Sequence, residues 1–298
     1  MYVGLCAVWG STWLAIKVGL SDLPPLLFAG VRMALACLLL TPFAFTRPGP
    51  GPGRAERGWI AWSGVLQIGV SYACIFLAEE RIASGLAALL FATFPIFVGL
   101  FAHFLLPDEP LTARTIVSAL LGLAGVAVVQ GPALAASFAS AQTRPLLVGT
   151  LLVLASSAVS GYSNVINKKH LARVSPFRNV WGQTLAGSSL LLVGAAAFER
   201  GAPVRWTSAS VGAVAYLAVV GTALPFVGLF WLIRRVPVAV IGTIPVVDTV
   251  VAIVLGGLVL GEALSPRILA GGALILTGVL LAAMPRRAAP VEEMVGPP

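Results

Sequence analysis

The sequence predicts an all-α integral membrane protein of ten transmembrane helices, arranged as two inverted five-helix repeats, and three observations predict it. First, 58% of the 298 residues are hydrophobic and only 10% charged, with a mean hydropathy of +0.98, a composition that a water-facing surface does not support. Second, apolar runs long enough to cross a hydrocarbon layer of ~30 Å as helices recur along nearly the whole chain, with short polar breaks. Third, one pattern of polar and small residues returns in the second half at fixed spacing.

Taken in order, the apolar runs place helices over residues 2–20, 25–46, 59–78, 82–106, 112–130, 146–168, 177–198, 209–233, 237–260 and 267–285. The first begins almost at Met1 with no basic leader and runs to Lys17 and Pro25 with no small-residue cleavage pattern, so it reads as a retained helix. The longest links, 47–58 and 131–145, are rich in Pro and Gly or in small residues, and the second divides the chain nearly in half. Residues 1–130 are then a first repeat, 131–145 a linker, 146–285 a second repeat, and 286–298 a tail.

The net charge of +8 does not point to nucleic acid, because the basic residues sit at the ends of apolar runs and form no dense stretch interleaved with aromatics. They read as topology signals. With a cytoplasmic amino terminus, the inner segments hold Arg47, Arg54, Arg57, Arg114, Lys168, Lys169, Arg173, Arg178, Arg234, Arg235, Arg286 and Arg287, against outer Arg81, Arg144, Arg200, Arg205 and Arg267. The excess of positive charge places both termini in the cytoplasm of a multi-pass cell (inner) membrane protein. Cys6, Cys37 and Cys74 lie inside helices with no metal or disulfide spacing, so they read as packing residues.

The repeat is visible in the residues. Trp9-Gly-Ser-Thr-Trp-Leu-Ala-Ile-Lys17, then Pro25 and Arg32, runs parallel to Ser160-Gly-Tyr-Ser-Asn-Val-Ile-Asn-Lys168, then Pro176 and Gln183. Glu109-Pro-Leu-Thr-Ala-Arg114 matches Glu262-Ala-Leu-Ser-Pro-Arg267, and Gly125-Val matches Gly278-Val. An odd number of spans per half inverts the second copy, the arrangement by which many secondary transporters build a binding site at the midplane between repeats.

On these residues, together with Ala87-Ala-Leu-Leu and Pro95 and with Leu260-Gly-Glu-Ala-Leu-Ser265, the chain resembles the drug/metabolite transporter superfamily, specifically its EamA-type ten-helix permeases. The resemblance spans residues 4–285 and implies a bundle around a central cavity, helices five and ten at the periphery, and export of amino acids or related small metabolites. Where the family often has proline in the ninth helix, this chain has Thr249, with Pro245 one turn earlier.

Several side chains are candidates for the cavity. Asp248 lies halfway along the ninth helix, where an acid costs roughly 2.5–3.5 kcal/mol on insertion scales. It suits proton exchange or a cationic part of the substrate, or else it is a structural acid bonded to Thr243, Thr249 or backbone. Arg32 lies roughly 10 Å into the second helix and should face the bundle interior. There it would bind a substrate carboxylate with its planar fork, or pair with Glu79 or Glu80. Trp9, Trp13 and Tyr72 are suited to stacking on cargo, and Ser11, Thr12, Gln67, Tyr162, Asn164, Asn167 and Gln183 to hydrogen bonding it, although each residue type also serves helix packing. Pro95, Pro225 and Pro245 break backbone hydrogen bonds inside helices and are hinge candidates. Glu109 and Glu262 are spaced to cap the helix that follows each of them. Lys168, Lys169 and His170 form a charge cluster at a helix end, and His103 reads as a packed histidine.

The function expected is secondary transport of a small polar metabolite across the bilayer by alternating access, with proton coupling as an option. No cofactor, metal site, catalytic residue or nucleic-acid partner is expected, and the chain carries no signal for an oligomeric state. An intramembrane enzyme finds no HExxH or GxSxG spacing here. A structural or regulatory membrane protein is the other alternative.

Overall fold

A computed structural model describes residues 1–46, 49–107, 112–137, 144–225, 228, 244–262 and 265–284. Among these residues the chain forms ten helical rods: α1 Tyr2–Gly19, α2 Pro25–Thr46, α3 Arg54–Glu79, α4 Ser84–Leu105, α5 Ala113–Ser137, α6 Arg144–His170, α7 Pro176–Phe198, α8 Ser208–Ala223, α9 Ile244–Leu260 and α10 Pro266–Ala283. Five of them (α2, α3, α4, α6 and α7) are each long and apolar enough to cross a bilayer.

The rods depart from the hydropathy reading in places. α3 starts at Arg54 rather than near 59, because the Gly53 amide donates to the Glu56 carboxylate at 2.6 Å and caps a polar first turn. α4 is broken at Ala92 and Thr93, between Ser84–Phe91 and Phe94–Leu105, just before the hinge candidate Pro95. α5 extends to Ser137, into the segment expected to be linker.

α3 and α8 each contain a π-helical turn, at Val65–Val70 and Val219–Ala223. The offset that relates Glu109 to Glu262 carries residues 66–70 onto 219–223, so the two turns are counterparts. π turns widen a helix, leave backbone carbonyls partly free and often mark functional sites.

The two repeats interleave. α1 packs on α8 and α9, α2 on α7, α3 on α6 and α7, α4 on α6 and α9, and α5 on α10. Glycines allow the close crossings: a Cβ on Gly10 would lie 2.6 Å from the Asp248 carbonyl, and one on Gly125 would lie 2.5 Å from that of Gly271. Loops 20–24, 80–83 and 199–207 and residues 261–262 gather at one end of the bundle, the Asp22 end, and 49–53 and 171–175 at the other. The largest core cluster, with Phe28 edge-on to Phe76 at 5.2 Å, lies toward the Asp22 end.

Candidate functional site

Arg32 faces the interior as expected and is 2% exposed. Its guanidinium lies over the rings of Tyr72 and Phe76, 5.2 and 5.9 Å from their centroids, where ring quadrupoles offset part of the lost hydration. Nη2 donates to the Thr222 hydroxyl at 3.4 Å, whereas Nε and Nη1 have no hydrogen-bond partner. Thr222 belongs to the π turn of α8 and donates in turn to the Leu217 carbonyl at 2.9 Å. Neither proposed acid bonds to Arg32. Glu80 pairs with Arg81 at 3.0 Å near the surface, and Glu79 is fully buried with neither carboxylate oxygen hydrogen-bonded. A buried guanidinium and a buried carboxyl group, both short of hydrogen-bond partners, are costly, which makes the two the leading candidates here.

Gln183, the repeat counterpart of Arg32, is placed in the corresponding way. It packs on α3 at Gly64, where the π turn of that helix begins; a Cβ there would lie 2.5 Å from the Gln183 carbonyl. Its amide donates to Asn167 at 2.9 Å and Asn179 at 2.7 Å. Beside it runs a polar seam between α3 and α6. Gln67 donates to Ser160 at 3.3 Å, Ser71 bridges Ser156 and Ser160 at 2.7 and 2.8 Å, Ser63 meets Ser163 at 2.7 Å, and the exposed Asn164 reaches Gln67 at 3.5 Å.

The remaining candidates divide. Thr12, on α1, lies beside Gly221 in the π turn of α8 and donates to the Trp9 carbonyl at 2.6 Å. Ser11 meets the Tyr216 hydroxyl at 2.6 Å. Trp13 is buried against Phe91, with ring centroids 5.7 Å apart, and Trp9 packs with Leu5, Cys6 and Ile244, so both are packing aromatics here. Tyr162 sits edge-on to Phe101 and lines a groove of about 290 Å³ with Trp62, Leu66, Ala158 and Val159, an apolar surface rather than a polar lumen.

Asp248 is half-buried, accepts from the Thr249 hydroxyl at 3.4 Å, and lies against α1 at Gly10. Pro225 is buried just beyond the π turn of α8, while the side chain of Pro245 lies outside the described residues. His170 stacks on Trp59 at 4.0 Å, and His103 is tilted against Phe104 at 5.0 Å.

The Asp22 end is tied by groups that cross between elements. Glu262 does not cap α10; Ser265 does, accepting from the Ile268 amide at 3.3 Å. Gly261, at φ +66°, ends α9 in the left-handed region and turns Glu262 back. Its carboxylate then accepts from the Ser84 amide at 2.7 Å, the Ser84 hydroxyl at 2.9 Å and the Gly85 amide at 3.0 Å, capping α4 of the other repeat. Glu199 does the same for α2, accepting from the Leu26 and Leu27 amides at 2.7 and 2.8 Å. Lys17 donates to the carbonyls of Glu79 and Ile82 at the end of α3. Glu109 lies outside the described residues. The sequence reading missed Glu199 and Thr222 altogether and named Glu79 only as a partner for Arg32; a carboxylate closing an apolar run was the available signal for both acids.

A family model described as the EamA-like transporter family matches residues 1–130 and again 147–284. The chain is 28% identical over 283 residues to the uncharacterized transporter YoaV of Bacillus subtilis, with 94% of each chain covered. It is 28% identical over 296 residues to the uncharacterized inner membrane transporter YedA of Escherichia coli K12, covering 98% of this chain and 92% of that one. A probable terminal-alkyne amino-acid exporter of Streptantibioticus cattleyicolor is 30% identical over 284 residues, covering 92% and 89%. A solved crystal structure superposes with a TM-score of 0.63 at 21% identity over 94% of each chain, a likeness of fold. With both halves of a ten-rod bundle matched by that model, the chain belongs to the EamA-like transporter family, within the drug/metabolite transporter superfamily.

Proposed function

We propose that this transporter exports a small carboxylate-bearing metabolite of the amino-acid class across the inner membrane by alternating access, with Arg32 as the carboxylate site. One observation carries the reading: a guanidinium 2% exposed, between the repeats and beside a π turn, with Nε and Nη1 free of hydrogen bonds. An Arg fork with open donors in a low-dielectric site matches a carboxylate in charge and in bidentate geometry. The probable amino-acid exporter among the relatives supports that substrate class.

Alternating access is supported by the difference between the two ends. In α4, Ser84–Phe91 buries seven of eight residues and Phe94–Leu105 only Ala102 of twelve, while the exposed Asn164 sits in the seam between α3 and α6. A carrier shut at the Asp22 end and looser at the other has this character. The excess of basic residues toward the other end supports an orientation with the Asp22 end outside and both termini inside.

The test is an uptake screen in inside-out vesicles over amino acids, nucleosides and sugars, with and without an imposed proton gradient. Saturable accumulation of amino acids, and of neither other class, is expected; accumulation of sugars alone, or of nothing, overturns the reading. Orientation has its own check. In whole cells a membrane-impermeant maleimide should label a cysteine at Val204 and spare one at Ala55, and the reverse pattern would invert the topology.

A further inference from the structure

Resting on that reading of Arg32, we propose that Glu79 completes the site: it takes the ammonium group of a zwitterionic substrate and, when the site is empty, the proton that the ammonium displaces. Arg32 stands over Tyr72 and Phe76, Glu79 follows Phe76 by three residues on the same helix, and each of the two groups feels the charge of the other. A carboxylate and an ammonium joined through a single carbon carry the charges that match this pair.

The charged and titratable groups facing Glu79 come from every element around it. Among the described residues, Lys17 on α1 is engaged with the carbonyls of Glu79 and Ile82, Glu262, after α9, is engaged with the first turn of α4, and Arg32 on α2 is hydrogen-bonded to Thr222 and lies over Tyr72. None of them is hydrogen-bonded to the Glu79 carboxyl group. A buried carboxylate with no donor on either oxygen is costly, and with the site empty a proton is the ligand that lowers that cost.

Binding then exchanges one cation for another. The O–H bond of Glu79 breaks, its proton passes to water at the end of the bundle that is open, and the carboxylate left behind pairs with the ammonium. Because proton and substrate compete for one group, an inward proton gradient drives the substrate outward.

The experiment uses the purified full-length protein in weakly buffered detergent. One probe is an equimolar mixture of amino acids with uncharged side chains; the other is the matching mixture of acids lacking the amino group. The amino acids should raise the melting temperature and release protons, whereas the desamino acids should bind through Arg32 without releasing any. Glu79→Gln should bind the amino acids at least roughly tenfold more weakly and release no protons, and Glu79→Asp should release them with a displaced pH profile. The infrared band of a protonated carboxyl group should also vanish in Glu79→Gln.

Amino-acid binding without proton release, or equal binding by Glu79→Gln, overturns the role of Glu79 and leaves the carboxylate reading standing. Proton release that disappears in Asp248→Asn but persists in Glu79→Gln assigns the proton to Asp248 instead. No binding of either mixture sinks both.

Discussion

Arg32→Met should abolish uptake of amino acids while leaving the melting temperature unchanged or higher. The two effects have one cause. The guanidinium is 2% exposed with two nitrogens lacking partners, so the resting protein carries a desolvation cost that its single hydrogen bond, to Thr222 at 3.4 Å, cannot offset. Methionine fills similar space against Tyr72 and Phe76 without that cost. Loss of a buried charge-assisted contact to substrate corresponds to roughly 2–5 kcal/mol, enough to remove measurable transport. Arg32→Lys keeps the charge but not the fork and should retain about one part in ten to one in a hundred of the activity. A structural Arg32 predicts the opposite order, with Arg32→Met melting lower than wild type and transporting in proportion to the folded fraction. Equal transport by the arginine and lysine forms would remove Arg32 from the site.

How much of this was legible in the sequence depends on the range of the interaction. The rods were legible because the bilayer imposes one length and one polarity on every span, and Arg32 stood out as a charge inside an apolar run. The start of α3 was not, because its first turn, Arg54-Ala-Glu-Arg57, is too polar for a hydropathy reading and forms through the Glu56 cap. The break in α4 falls among Phe91, Ala92, Thr93 and Phe94, which differ little in hydropathy from the rest of that helix.

The π turns have no compositional mark, so Thr222 could not be seen as a partner for Arg32. Trp13 was chosen as a cavity aromatic from residue type alone, yet it packs on Phe91, a contact between α1 and α4 that no local pattern encodes. Glu262 was read as the cap of the helix next to it in sequence because spacing reports only local partners. Its actual partners, Ser84 and Gly85, lie in the other repeat.

That last difference changes what Glu262 is for. A cap on the following helix would travel with it through any transport cycle, whereas a carboxylate joining the end of α9 to the start of α4 has to let go if those helices separate. Gly256 and Gly85 make room for it: a Cβ on Gly256 would lie 2.3 Å from the Glu262 Oε2, so alanine there should dislodge the carboxylate as removing it would.

The first-turn amides of α4 have no carbonyl within the helix to bond, and the helix dipole favours an anion beside them. Losing the carboxylate should therefore weaken closure of the Asp22 end by about 1–3 kcal/mol, which shifts a two-state balance by roughly fivefold to 150-fold. Glu262→Ala should accordingly increase the rate at which a membrane-impermeant maleimide labels a cysteine placed at Ala83, beside the latch, by about that factor. Glu199→Ala, which frees α2 rather than α4, should act independently, so the double variant should show nearly additive free energies. If labelling at position 83 is unchanged while the melting temperature falls, Glu262 is a fixed part of the scaffold, and the Asp22 end opens without parting α9 from α4.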